Sequence, residues 1–186
     1  MNKKLKIIGV CGSLRKASYN RMALLIASQN MPINVDFHIV EIGDLPHFNQ
    51  DLEENPPPSV MSFRDTIKSA DALLFAVAEY NYSVSSVLKN AIEWASRPYN
   101  NSVLNHKSIA IMGVSTGTIG TARAQYHLRQ MLVQTDSLPL NRPEVMISLA
   151  QDKFDKDGHL NDEKTLKKIK DLVNALVNWT VKLAQV

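Results

Sequence analysis

A single cysteine, Cys11, stands in a chain of 186 residues, so no internal disulfide can form and a reducing compartment such as the cytoplasm is expected. Five histidines without cysteine partners give no zinc spacing, and no metal site is expected. Long apolar runs are missing too: no stretch approaches the roughly 20 residues of a membrane span. The basic start Met1 to Lys4 is followed only by Leu5 to Cys11, which Lys6 interrupts and Gly12-Ser13-Leu14-Arg15 ends, so no secretory leader and no membrane partner are expected. The net charge is +3 and the basic residues are scattered. Their densest cluster, Lys164, Lys167, Lys168 and Lys170, falls on a helix-period segment and reads as a solvated face. Without aromatic interleaving or a recognised motif, nucleic acid is not an expected partner. Repeats, a Ser-His-Asp set and paired carboxylates are likewise absent, so no catalytic side chain is nominated.

What is present is an alternation of short Val- and Ile-rich runs with helix-period segments, the pattern of a parallel sheet covered on both faces. Strands are expected at Leu5 to Val10, Val35 to Ile42, Ala72 to Val77, Ser108 to Val114 and Val145 to Ser148. Pro139 and Pro143 mark the approach to the last as an edge or a loop. Helices are marked by Met22, Leu25 and Ile26, by Val60, Phe63 and Ile67 after Pro56-Pro57-Pro58, and by Val84, Val87, Leu88, Ala91, Ile92 and Ala95. Ala124, Leu128, Met131 and Leu132 mark a fourth, and Leu166 to Leu183 a long last one. Asp155-Lys156-Asp157-Gly158 resembles the opening of a calcium loop, but no acidic pattern completes it and a turn is expected. Length and apolar content fit one domain over residues 1–186. Five strands wound 2-1-3-4-5 would place ligands beyond the carboxyl ends of the strands, beside the first.

The loop Gly12-Ser13-Leu14-Arg15-Lys16-Ala17-Ser18-Tyr19-Asn20 leaves the first strand and opens the first helix, where free N–H groups and the helix dipole favour an anion. It is neither a Walker A loop nor G-x-G-x-x-G. On the loop alone, an anion grip and a plain helix cap at Ser18 or Asn20 are equally good readings. After the third strand, Ala78-Glu79-Tyr80-Asn81-Tyr82-Ser83 offers aromatic walls and polar groups to a flat ring. In isolation it would read as a covered turn.

These segments, with Leu88-Lys89-Asn90-Ala91-Ile92-Glu93-Trp94, Leu45-Pro46, Asn49-Gln50-Asp51 and Arg123 to Arg129, resemble the NADPH-dependent FMN reductase family, which includes enzymes described as azoreductases, quinone reductases and chromate reductases. The resemblance implies a flavodoxin-like three-layer α/β/α sandwich holding FMN, which passes hydride from NADPH or NADH to an oxidised small molecule. It implies that Ser13, Arg15, Ser18 and Asn20 hold the FMN phosphate and that Glu79, Tyr80, Asn81 and Ser83 line the flavin and ribityl chain. The loop with Ser115 and Gly117 would meet the pyrimidine edge of the ring, and Tyr82 is a candidate for the acceptor pocket. A homodimer or homotetramer is implied, with Arg123, Tyr126, His127 and Arg129 serving either an interface or a solvated helix face. Family members usually carry proline at Ala78 and often Pro-Gly at Ser85-Ser86, which puts the stiffness of the loop in question. The alternatives are a flavodoxin-like single-electron carrier, which tends to be acidic where this chain is not, and a flavin-independent binding protein on the same fold.

Overall fold

The computed structural model describes residues 4–185; residues 1–3, part of the basic start weighed above, and residue 186 lie outside the described residues. Along the chain run β1 (Leu5–Cys11), α1 (Tyr19–Gln29), β2 (Val35–Val40), α2 (Pro58–Ser69), β3 (Ala72–Ala76), β4 (Glu79–Tyr80), β5 (Ser83–Val84), α3 (Ser86–Ala95), β6 (Ser108–Val114), α4 (Ala122–Gln134), β7 (Leu138–Pro139), β8 (Val145–Ile147) and α5 (Glu163–Leu183). The main sheet is parallel throughout, in the order β2-β1-β3-β6, with β7 and β8 both beyond β6.

Alternation along the strands divides the core. Ile8, Val10, Leu73, Phe75, Ile109 and Ile111 face α2, α3 and α4, while Ile7, Cys11, Leu74, Ala110 and Met112 face α1 and α5. The middle strands are buried on both faces because each successive side chain meets a helix layer. This is the expected three-layer flavodoxin-like sandwich. No helix is long and apolar enough to cross a membrane among the described residues.

Three local expectations need correction. The fifth strand stands at Val145–Ile147, where it was expected, and pairs with Met112 to Val114, but a sixth, Leu138–Pro139, precedes it at the same edge and pairs with Ser108 and Ile109. Pro139 and Pro143 have no N–H to donate, so the segment is confined to the edge and leaves the ladder between the two pieces. Val84 belongs to the β4–β5 hairpin rather than to α3, which starts after its N-cap Ser85. Leu25 is exposed on α1, whose buried stripe is Ala23, Leu24, Ile26 and Ala27.

Candidate functional site

The carboxyl ends of β1, β3 and β6 lie on one edge of the sheet, tied beyond the strands by Gly12 N–H to Ala76 O (2.8 Å) and Val77 N–H to Met112 O (2.8 Å). At the first of the three loops leaving that edge, Ser18 is the N-cap of α1 and its Oγ accepts from Arg21 N–H at 3.3 Å. The backbone N–H groups of Leu14 to Ala17, Tyr19 and Asn20 find no acceptor among the described residues, and Arg15 is exposed without an ion-pair partner among them. Loop and helix start therefore present unspent donors beside a guanidinium.

Asn20 departs from expectation. Its Nδ2 donates to Val114 O and its Oδ1 accepts from Val114 N–H, both at 3.0 Å. The buried carboxamide thus fastens α1 to the end of β6 instead of reaching toward a phosphate. Cys11 is also withdrawn: its Sγ lies 3.4 Å from Ser13 O, and burial pushes the thiol's pKa up. It behaves as a small core residue.

The second loop is a two-residue hairpin. Asn81 (φ 49°) and Tyr82 (φ 66°) are both left-handed, as a tight turn between β4 and β5 requires, although the second place usually goes to glycine. α4 holds this hairpin from one side. Arg123 Nη1 donates to Glu79 Oε1 at 3.0 Å and its guanidinium carbon lies 3.7 Å from the centre of the Tyr82 ring. Ala124 N–H donates to Glu79 Oε2 at 3.2 Å, supplying the cap that the Thr121 side chain does not. One turn further on, His127 Nδ1 and Ser83 Oγ are 3.0 Å apart. The Glu79 carboxylate, expected at the flavin, is thus spent on α4.

α3 holds the same region from the other side. Ser85 Oγ donates to Gly12 O at 2.6 Å and accepts from Leu88 N–H at 3.4 Å, joining the first loop to the start of α3. A side-chain bond thereby fixes the loop at Ser85-Ser86, whose stiffness the sequence left in question. Further along, Asn90 accepts from Phe48 N–H (2.8 Å) and donates to Pro46 O (3.0 Å), and Trp94 Nε1 also donates to Pro46 O (2.8 Å). The motif Leu88 to Trp94 therefore straps down the long segment after β2.

The third loop, Ser115 to Thr118, is sewn to the chain after β8 by Leu149 N–H to Gly117 O and Ala150 N–H to Ser115 O, both 3.1 Å. Gly117 is exposed, and a Cβ there would meet nothing nearer than Ser115 Oγ at 3.6 Å. Its backbone does not demand glycine; the missing side chain leaves open space beside it.

A cavity of about 1080 Å³ collects much of this apparatus. Ser13, Arg15, Tyr80, Asn81 and Ser83 line it, whereas Ser18, Asn20, Glu79, Tyr82, Ser115 and Gly117 do not. Tyr82 was expected in the acceptor pocket, but its ring instead lies against Arg123. The cavity also takes in Ser85, Lys89, His127, Gln130 and Met131, none of which was expected there. The sequence marked the segment Arg123 to Arg129 without assigning it to the cavity; its Arg123, His127 spacing of four puts both on one helix face.

The profile of a family described as NADPH-dependent FMN reductase matches residues 5–152. The chain belongs to that family. An NAD(P)H-dependent FMN reductase of Pseudomonas aeruginosa is 48% identical over 184 residues, covering 98% of this chain and 99% of the relative. An NAD(P)H:quinone oxidoreductase of Solanum tuberosum is 44% identical over 186 residues, covering 96% and 94%. Among solved structures, the flavoenzyme NAD(P)H:(acceptor) oxidoreductase FerB of Paracoccus denitrificans superposes with a TM-score of 0.88 at 37% identity, covering 96% of this chain and 98% of that one. As a member of the NADPH-dependent FMN reductase family, the chain is an oxidoreductase with FMN as cofactor and NAD(P)H as reductant. The residues present suit that cofactor: free N–H groups and Arg15 offer charge-matched donors to a phosphate dianion, and the cavity wall from Tyr80 to Ser83 joins an aromatic ring to an amide and a hydroxyl.

Proposed function

We propose that the loop after β1 holds the FMN phosphate through the N–H groups of Leu14 to Ala17, the Ser13 hydroxyl and the Arg15 guanidinium. Unspent donors around an unpaired arginine carry this assignment. Ser18 keeps the helix start open as its cap, and Asn20 acts through Val114 by holding the first and third loops together. Tyr80, Asn81 and Ser83 line the flavin and ribityl chain, with Glu79 contributing only its backbone. The backbone of Ser115 to Gly117 meets the pyrimidine edge of the ring, with the open space at Gly117 allowing close approach.

When bound, FMN supplies the redox chemistry, taking hydride from NAD(P)H and passing it on to the acceptor. The protein's own work is positional. The phosphate loop fixes one end of the cofactor, and the hairpin clamped by Arg123 and His127 sets the wall beside the other. At about 1080 Å³ the cavity lies at the top of the roughly 300–1000 Å³ range of small-molecule sites, leaving room for a second ring system. Reductant and acceptor therefore take turns at one open face.

The acceptor class we favour is the quinones, because relatives of near-complete coverage at 39–44% identity are named quinone reductases or oxidoreductases. A homodimer or homotetramer in the cytoplasm, folded as one domain over 1–186, completes the reading; the single buried cysteine suits a reducing compartment. The test is steady-state turnover of the FMN-loaded protein with NADPH or NADH against menadione. Rapid oxidation with parallel-line kinetics supports the enzyme. FMN binding without nicotinamide oxidation would support the electron carrier instead.

A further inference from the structure

Reduction of a quinone by NAD(P)H consumes one proton beyond the hydride: NAD(P)H, H⁺ and quinone give NAD(P)⁺ and hydroquinone. A group at the acceptor has to form that O–H bond. Apart from serine hydroxyls, which are far too weak as acids, the cavity wall contains four side chains with a proton on a cationic nitrogen or a phenol: Arg15, Tyr80, Lys89 and His127. Arg15 never deprotonates in the working range. Ammonium and phenol groups as a class release protons only near pH 10, and the Lys89 ammonium is paired with Glu93 one helical turn away. Imidazole is the one group of the four that both gives and regains a proton near neutrality.

The placement of His127 suits that task. It sits on α4 inside a rigid helix rather than on a loop, and its Nδ1 is held 3.0 Å from Ser83 Oγ across the hairpin. With Nδ1 engaged by a hydroxyl, Nε2 is the nitrogen left without a protein partner among the described residues, on a side chain open to solvent. The charged and titratable groups on the elements packed here are Arg123 on α4, bound to Glu79; Tyr126 and Arg129 on α4, bound to Glu144 and to Leu140 O; Tyr80 and Tyr82 on the hairpin; and the Lys89–Glu93 pair on α3. None of them makes a hydrogen bond or ion pair to the imidazole.

We infer that His127 is the proton donor to the acceptor: as the quinone is reduced, the Nε2–H bond breaks, an O–H bond forms on the acceptor oxygen, and solvent returns the proton to the ring. Ser83 is then a positioning residue, since it acts by holding Nδ1. This inference rests on the oxidoreductase function proposed above. It separates acceptors by chemistry, because ferricyanide takes a single electron and no proton.

The test compares wild type with His127→Gln, measuring NADPH turnover with menadione and with ferricyanide, and FMN affinity from quenching of flavin fluorescence by the apoprotein. With FMN at saturation, the expected result is a menadione-to-ferricyanide turnover ratio lowered about a hundredfold, the lower end of what a positioned acid contributes. Partial recovery of menadione turnover by added imidazole in His127→Ala is expected with it. An unchanged ratio with FMN bound overturns the proton-donor role while leaving the oxidoreductase function standing. Equal loss of turnover with menadione and ferricyanide at saturating FMN also overturns it, leaving His127 only as a residue that positions the hairpin. Failure of the wild type with both acceptors would instead sink the function on which the inference rests.

Discussion

The guanidinium of Arg123 lies 3.7 Å from the ring centre of Tyr82 while its Nη1 holds the Glu79 carboxylate at 3.0 Å. One side chain of α4 thereby grips the first arm of the β4–β5 hairpin and its turn. The carboxylate is nearly buried and Arg123 is part exposed, so the charged bond is discounted to about 1–2 kcal/mol and the ring contact adds about 0.5–1 kcal/mol. Arg123→Ala is expected to lower the melting temperature by roughly 4 °C or more. Arg123→Lys should recover little of it, since an ammonium cannot stack and fork at once. A melting curve of Arg123→Lys equal to wild type would contradict the double role.

Tyr82 offers the opposite expectation. Its backbone sits at φ 66°, where a side chain costs about 1–2 kcal/mol, so Tyr82→Gly trades that strain for the lost ring contact. Stability within about 1 kcal/mol of wild type is expected in urea denaturation, and a large loss would mean that the ring does more than rest on Arg123.

Asn90 should be far less tolerant. Replacing it with leucine leaves Phe48 N–H without its partner, at a cost of about 1–3 kcal/mol, while Pro46 O keeps only the Trp94 indole. Limited proteolysis of Asn90→Leu is expected to cut first between Gly43 and Ser59. Wild-type resistance there would show that Trp94 alone holds the strap.

The buried Cys11 thiol carries a pH dependence with a definite sign. Burial raises its pKa in the folded state, so the folded protein resists thiolate formation. Stability from this group is fully present below the unfolded value near 8.5 and declines as pH rises through the raised folded value. Native protein should react slowly with a disulfide reagent at pH 8 and fast once unfolded. Rapid native labelling would show that the thiol is open to solvent.

Much of this could be read from residues alone, and the failures have physical causes. Ser108 to Val114 and the other central strands are continuous apolar runs because both faces are buried, so their limits stood out. The fifth strand did not, since two prolines break one sheet position into two edge pieces whose pairing only β6 reveals. At the site, Ser13, Arg15, Tyr80, Asn81 and Ser83, nominated from two loops by type and order, line one cavity. What remained hidden was which side chains are already spent. Asn20 and Glu79 look like ligand-binding groups in any linear reading, and only the fold shows Val114 and Arg123 taking them. The wall from α4 was equally hidden, because nothing local to His127 says that Ser83 lies opposite.

The grip on FMN is also open to substitution. Arg15→Ala removes a charged contact contributing about 1.5–3 kcal/mol, so FMN affinity should fall by roughly 10- to 100-fold in a fluorescence titration of the apoprotein. Asn20→Ala should instead lower melting temperature first, because its amide is bound to Val114.

The most direct measurement is a crystal structure of the protein loaded with FMN. Phosphate density within hydrogen-bonding distance of the N–H groups of Leu14 to Ala17 and of Arg15, with the ring between the β4–β5 hairpin and Ser115 to Gly117, is the expected result. Flavin density elsewhere, with that loop touching only solvent, would contradict the account.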